Sequence, residues 1–166
     1  MKISGKAIIF GDNVNTDIII PGRYLTSLDP NELAKHAMEG LDPDFTRKAQ
    51  GGAIIVAGRN FGCGSSREQA PLALKYAEVK CVIAESFARI FYRNAINISL
   101  PPLECSGVLS QVHDGNILLV DLAEGEIVNQ TKNRTIHATR LPEFILDIIK
   151  DGGLIEHLKK RMRGMR

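Results

Sequence analysis

The amino-acid sequence predicts an α/β fold, and three observations carry that expectation. The apolar run Ala53–Ala57, bounded by glycine on both sides, and the run Val79–Ala84 alternate with helix-forming segments. Such a strand–helix–strand–helix rhythm implies a parallel β-α-β unit. Shorter strand patterns follow at Ile117–Asp121, Ile127–Asn129 and Arg134–His137, with Asp114-Gly115 and Glu124-Gly125 supplying turns. Finally, 166 residues with 44% apolar and 24% charged content suit one core, so a single domain over 1–166 is expected.

The elements are read in order. Lys6–Phe10 is a first strand, and Gly11–Asp17 is turn chemistry rich in Asx side chains that bond their own backbone. Ile18-Ile19-Ile20 reads as a short β-branched strand stopped by Pro21-Gly22. Asp29 caps a helix that has Pro30 at its first position and runs to about Met38. Pro71 would break the interior of a helix, so the helix after the Gly-rich segment starts near Gln69–Pro71 and runs to about Tyr76. Ser86 is read as the cap of a helix from Phe87 to about Ile96, and Leu100-Pro101-Pro102-Leu103 closes that unit. Two helices, about Pro142–Lys150 and Leu154–Arg161, end the chain on either side of Gly152-Gly153.

Composition excludes several classes of function. No apolar segment approaches the length of a membrane span. The opening residues carry no signal-peptide apolar region, which predicts a cytoplasmic protein. A formal net charge of +2 does not argue for nucleic acid, and the basic run Lys159–Arg166 is read as a solvated helix end. Cys63, Cys81 and Cys105 form neither a Cys-x-x-Cys nor a zinc spacing, and Cys81 and Cys105 are expected as small buried hydrophobes. The four histidines sit in polar or helical contexts and are read as surface residues. Arg89 and Arg93, one helical turn apart, are either a solvated basic face or a ledge bracing the site.

The chemistry concentrates in Asn60-Phe61-Gly62-Cys63-Gly64-Ser65-Ser66-Arg67-Glu68. Glycine permits close backbone approach, serine donates or accepts, and Arg67 offers a planar fork to a carboxylate. Two readings stand: an anion-handling loop, or a helix N-terminus capped by Ser65 or Ser66 with Glu68 in support. The segment matches neither a P-loop nor a nucleophile elbow. In the turn before it, Asp17 is placed to orient a serine or an arginine.

Four ordered motifs resemble one family: Asp12–Asp17, Pro21–Leu25, Asn60–Ala70 and Ser86–Asn97. The chain resembles the small subunit of 3-isopropylmalate dehydratase, which is similar to the C-terminal swivelling domain of aconitase. That resemblance implies a three-layer β/β/α swivelling fold and a hydro-lyase isomerising 2-isopropylmalate to 3-isopropylmalate for leucine biosynthesis. It implies a separate large subunit, in a heterodimer or heterotetramer, that carries a [4Fe–4S] cluster. This chain would bind no cofactor, no metal, no nucleic acid and no membrane.

The same resemblance carries roles onto single residues. Ser65 matches the serine base, Arg67 the substrate-carboxylate clamp, and Asp17 an acidic residue organising both. Ser66 and Gly64 are expected at the substrate. The loop Arg23, Tyr24, Leu25, Thr26, Ser27 and Leu28 is expected to select among hydroxy-dicarboxylates. Homoaconitase-type subunits resemble Tyr-Leu-Arg-Thr there, whereas this chain has Thr26-Ser27-Leu28 after Tyr24-Leu25 and lacks the arginine. Isopropylmalate is therefore preferred, with homoaconitate, citraconate, citramalate and dimethylmalate as alternatives. A stand-alone anion- or RNA-binding module is the alternative from another class. The loop is expected to be mobile until it closes over substrate in the complex. Ser99 stands where the family has glycine, which puts the backbone at that point in question.

Overall fold

Seven strands hydrogen-bond into one mixed sheet in the computed structural model, which describes residues 1–165. The strands are β1 (Lys2–Ile9), β2 (Ala53–Ala57), β3 (Val79–Ala84), β4 (Pro102–Glu104), β5 (Ile117–Asp121), β6 (Glu126–Asn129) and β7 (Arg134–His137). Their order is β4-β3-β2-β1-β5-β6-β7. Pairings from β4 to β1 are parallel, and those from β1 to β7 are antiparallel. The helices are α1 (Thr16–Ile19), α2 (Pro30–Ala34), α3 (Phe45–Ala49), α4 (Gln69–Tyr76), α5 (Arg89–Asn97), α6 (Glu143–Lys150) and α7 (Leu154–Gly164). Arg166, the last residue of the basic run, lies outside the described residues.

Strand periodicity builds the layers. In β2, Ala53, Ile55 and Ala57 enter one core with Leu33, Leu74, Phe91 and other helix residues. Ile54 and Val56 point to the opposite face and share a second core with Leu118, Val120, Ile127 and Ile136 of β5–β7. One continuous sheet thus supplies two β layers, and the helices over the parallel half supply the third. A strand buried on both faces reads as an unbroken apolar run, which is why β2 lies where the sequence places it; β3 follows the same rule from Cys81 to Ala84, with Lys80 exposed at its start.

Local readings fail where a tertiary contact or a side-chain cap competes with the pattern. Ile18–Ile20 is not a strand. The Asn15 side chain accepts the Ile18 N–H at 2.9 Å and starts α1, with Asp17 in its first turn. The helix capped by Asp29 ends at Ala34 rather than near Met38. Met38 adopts φ 60° and gives its N–H to the Ile19 carbonyl at 2.9 Å. Ser86 caps nothing: its Oγ accepts the Asn60 N–H at 2.8 Å, and α5 begins only at Arg89. Pro102 opens edge strand β4, a position where proline's missing donor is tolerated. Helix α3 has no counterpart in the sequence reading. Within α5, Phe91 is buried, Ile90 is 48% exposed, and Arg89 and Arg93 are exposed.

Ser99 has φ 62°, the left-handed conformation that glycine would adopt freely. Its hydroxyl donates to the Ile149 carbonyl at 2.7 Å, an interaction glycine lacks. That bond offsets the steric cost of the conformation.

Candidate active site

The candidate site forms beyond the carboxyl ends of β1 and β2, where ligands bind in parallel sheets. Two loops meet there. The Gly62 N–H donates to the Val14 carbonyl at 2.7 Å, and the Thr16 N–H donates to the Cys63 carbonyl at 2.8 Å. Gly62 has φ +79°, and a Cβ on it would stand 2.2 Å from Cγ of buried Phe91. Only glycine fits, and it lets the loop settle on the aromatic cluster of Phe61, Phe87 and Phe91. Gly62→Ala is therefore expected to cost about 3 kcal/mol from overlap and backbone strain. A lowered urea midpoint would show this, and an unchanged midpoint would contradict the packing account.

This junction brings Ser65, Asp17 and Arg67 together. Ser65 Oγ donates to Asp17 Oδ1 at 3.5 Å, and the Arg67 guanidinium contacts the same oxygen at 2.6 Å. Arg67 also donates to the Ile20 carbonyl at 3.2 Å. Its side chain is 20% exposed while Asp17 is 62% exposed, so the arginine is held in a wall and the carboxylate faces solvent. The remaining donors of the planar fork can receive a carboxylate. Ser66 and Gly64 lie exposed on the same loop. Glu68 precedes α4, and no side chain caps that helix, so the loop is not a plain helix cap.

Thr16 joins this cluster, and the sequence reading did not include it among the candidate residues. It is 2% exposed, its hydroxyl donates to the Ser65 carbonyl at 2.9 Å, and it lies 3.4 Å from Ser65 Oγ. A hydroxyl beside Asp17 in the first motif was the available signal. Held to that carbonyl, the Thr16 hydroxyl stands beside Ser65 Oγ and limits its rotamer.

The loop after Pro21 starts against this wall, since Gly22 packs beside the Arg67 guanidinium. Tyr24 and Leu25 pack at the edge of the helix-side core. Arg23 turns to Glu39, Thr26 is exposed, Ser27 is half-buried, and Leu28 is 95% exposed. A separate cavity of about 600 Å³, lined by Lys2, Lys75 and Lys80 among others, lies at the opposite pole of the strands.

The cysteines offer no ligand set. Burial pushes the Cys81 thiol up to about 12, and burial with the nearby Glu85 charge pushes Cys105 up to about 11. Among the described residues no group of three or more His, Cys, Asp or Glu side chains could hold a metal ion.

Comparison with known proteins decides the family. The chain is 59% identical over 159 residues to a 3-isopropylmalate dehydratase small subunit of Halothermothrix orenii, covering 96% of each chain. The chain belongs to the 3-isopropylmalate dehydratase small-subunit family. A second member, the isopropylmalate/citramalate isomerase small subunit of Methanocaldococcus jannaschii, is 55% identical over 96% of this chain and 95% of its own. The aconitase C-terminal domain pattern matches residues 29–107, which include the Gly-rich loop but not Asp17. A crystal structure of 3-isopropylmalate dehydratase from M. jannaschii superposes with a TM-score of 0.94 at 51% identity, covering 99% of this chain and 98% of that one. Aconitase X from Thermococcus kodakaraensis shares the fold at 19% identity, with a TM-score of 0.51 over 84% of this chain and 92% of its own. Small subunits of this family act with a large subunit in a hydro-lyase, and no described helix here is long and apolar enough to cross a membrane.

Proposed function

We propose that residues 1–166 act as one swivelling domain, the small-subunit half of a cytoplasmic hydro-lyase that interconverts 2- and 3-isopropylmalate. The observation supporting this most strongly is the meeting of Ser65, Asp17 and Arg67 at one loop junction in a chain of this family. In this reading Arg67 clamps a substrate carboxylate through the donors left by Asp17 and Ile20. Ser65, as alkoxide, takes the proton from the carbon next to that carboxylate. The hydroxyl on the neighbouring carbon leaves toward the partner's half of the site, and the reverse sequence adds water in the other orientation. Asp17 holds Arg67 in place and Thr16 orients Ser65. Gly64 and Ser66 line the approach; of the loop Arg23, Tyr24, Leu25, Thr26, Ser27 and Leu28, the Thr26–Leu28 end meets the substrate's distal group while Arg23, Tyr24 and Leu25 anchor it.

A [4Fe–4S] cluster would supply Lewis-acid binding of the departing hydroxyl. Among the described residues no three His, Cys, Asp or Glu side chains come together to hold such a group, so the cluster is assigned to the large subunit, as the family resemblance implies. The two subunits pair as a heterodimer or as a heterotetramer. The absence of arginine in Thr26-Ser27 argues against an extra distal carboxylate, and so against homoaconitate. Citramalate is a second candidate, because the M. jannaschii relative is named for both substrates.

The test is anaerobic reconstitution with the cognate large subunit, followed by assays on 2-isopropylmalate, citramalate and cis-homoaconitate. The expected result is turnover only in the complex, with 2-isopropylmalate favoured and cis-homoaconitate inert. Homoaconitate turnover would overturn the reading of Thr26-Ser27. Salt-dependent RNA binding by an inactive chain would replace the enzyme by a binding module.

A further inference from the structure

His36 is not a bare surface residue. Its ring stacks on that of Tyr24 with centroids 3.6 Å apart and planes within 6°. The Arg23 guanidinium carbon lies 4.7 Å from the centre of the same Tyr24 ring. Glu39 joins the two sides: Oε1 accepts from Arg23 at 2.6 Å, and Oε2 lies 2.8 Å from His36 Nδ1. Partial burial works against the Glu39 charge, but the Tyr24 hydroxyl, the His36 ring and the Arg23 guanidinium outweigh it. They hold the carboxyl below its usual range.

The root of this cluster is fixed. Met38, between His36 and Glu39, is fully buried, adopts φ 60° and donates its N–H to the Ile19 carbonyl. Ile19 belongs to α1, the helix that carries Asp17. The far side is loose by comparison. A cavity of about 140 Å³ separates Thr26 and Ser27 from His36 and Glu32. The Ser27 N–H reaches back to the Tyr24 carbonyl at 3.2 Å, so the direction of the loop is set at Tyr24.

We infer that His36 and Glu39 are positioning residues: they clasp Arg23 and Tyr24 and so fix the direction in which Thr26–Leu28 meets the substrate's distal substituent. Arg23 is 68% exposed, so its ion pair alone adds little stability. The clasp works through the ring stack and the shared carboxylate, which restrict a loop anchored by Leu25 on the core and exposed at Thr26 and Leu28. This rests on the hydro-lyase reading for its substrate, but not for its geometry.

The test uses the holoenzyme carrying His36→Ala, His36→Phe or Glu39→Ala, with 2-isopropylmalate and citramalate as substrates. In His36→Ala and Glu39→Ala, KM for 2-isopropylmalate should rise more than kcat falls. The preference between the substrates should shift by about tenfold, the scale of one or two methylenes in an apolar pocket. His36→Phe keeps a stacking ring and leaves Glu39 paired with Arg23, so it should retain most of the wild-type preference. In the isolated chain, amide exchange over residues 21–29 should quicken in the alanine variants relative to wild type and match wild type in His36→Phe. Unchanged preference with unchanged exchange would overturn the clasp, as would His36→Phe behaving like His36→Ala. Altered exchange in an otherwise inactive holoenzyme would support the clasp and overturn the hydro-lyase reading.

Discussion

Ser65→Ala in the reconstituted holoenzyme is expected to lower kcat by about 10²–10⁴-fold, the range for removing a positioned general base. KM should change little, because Arg67 and the rest of the loop still bind the carboxylate. The fold should be untouched, since Ser65 is exposed and its hydroxyl meets only Thr16 at 3.4 Å and Asp17 at 3.5 Å. Steady-state kinetics on 2-isopropylmalate checks this. Wild-type turnover in the variant would remove Ser65 from the chemistry and leave it as a loop residue.

Arg67→Lys is expected to cost about a hundredfold in kcat/KM, equivalent to about 3 kcal/mol, although the charge is kept. Lysine is a point charge on a flexible stem and cannot hold Asp17, the Ile20 carbonyl and a substrate carboxylate at once. The loss should appear in both KM and kcat, because a misplaced carboxylate also misplaces the proton facing Ser65. Activity within threefold of wild type would show that a positive charge suffices and that the fork geometry is dispensable. Since Asp17 is 62% exposed, its pair with Arg67 is screened, and the isolated chain should lose little stability in this variant.

The legible part of the fold was its buried sheet. Ala53–Ala57 and, after the exposed Lys80, Cys81–Ala84 are apolar because both of their faces are covered, and no helix pattern competes with them. Ile117–Asp121 and Arg134–His137 were equally plain, being short strands set off by turn residues. Elements governed by one distant contact were not legible. The Asn15 cap turns three isoleucines into a helix end, and the Met38–Ile19 bond cuts α2 short. Pro101-Pro102 disguised an edge strand as a break. The meeting of Asp17, Ser65 and Arg67 was legible because their motifs are local and ordered; their roles in the chemistry remain a proposal. Thr16 and the His36–Glu39 clasp were not legible, because each owes its role to a partner brought close only by folding.

The most direct test of the half-site account is a competition between wild-type chain and its Ser65→Ala variant for a limiting amount of the cognate large subunit. Ser65→Ala removes only an exposed hydroxyl that meets Thr16 and Asp17 of its own chain, so the variant should still associate. Activity should fall in proportion to the fraction of Ser65→Ala chain, and the wild-type chain alone should have none. Activity unaffected by excess variant, or turnover by the isolated wild-type chain, would contradict the claim that this protein supplies one half of a shared site.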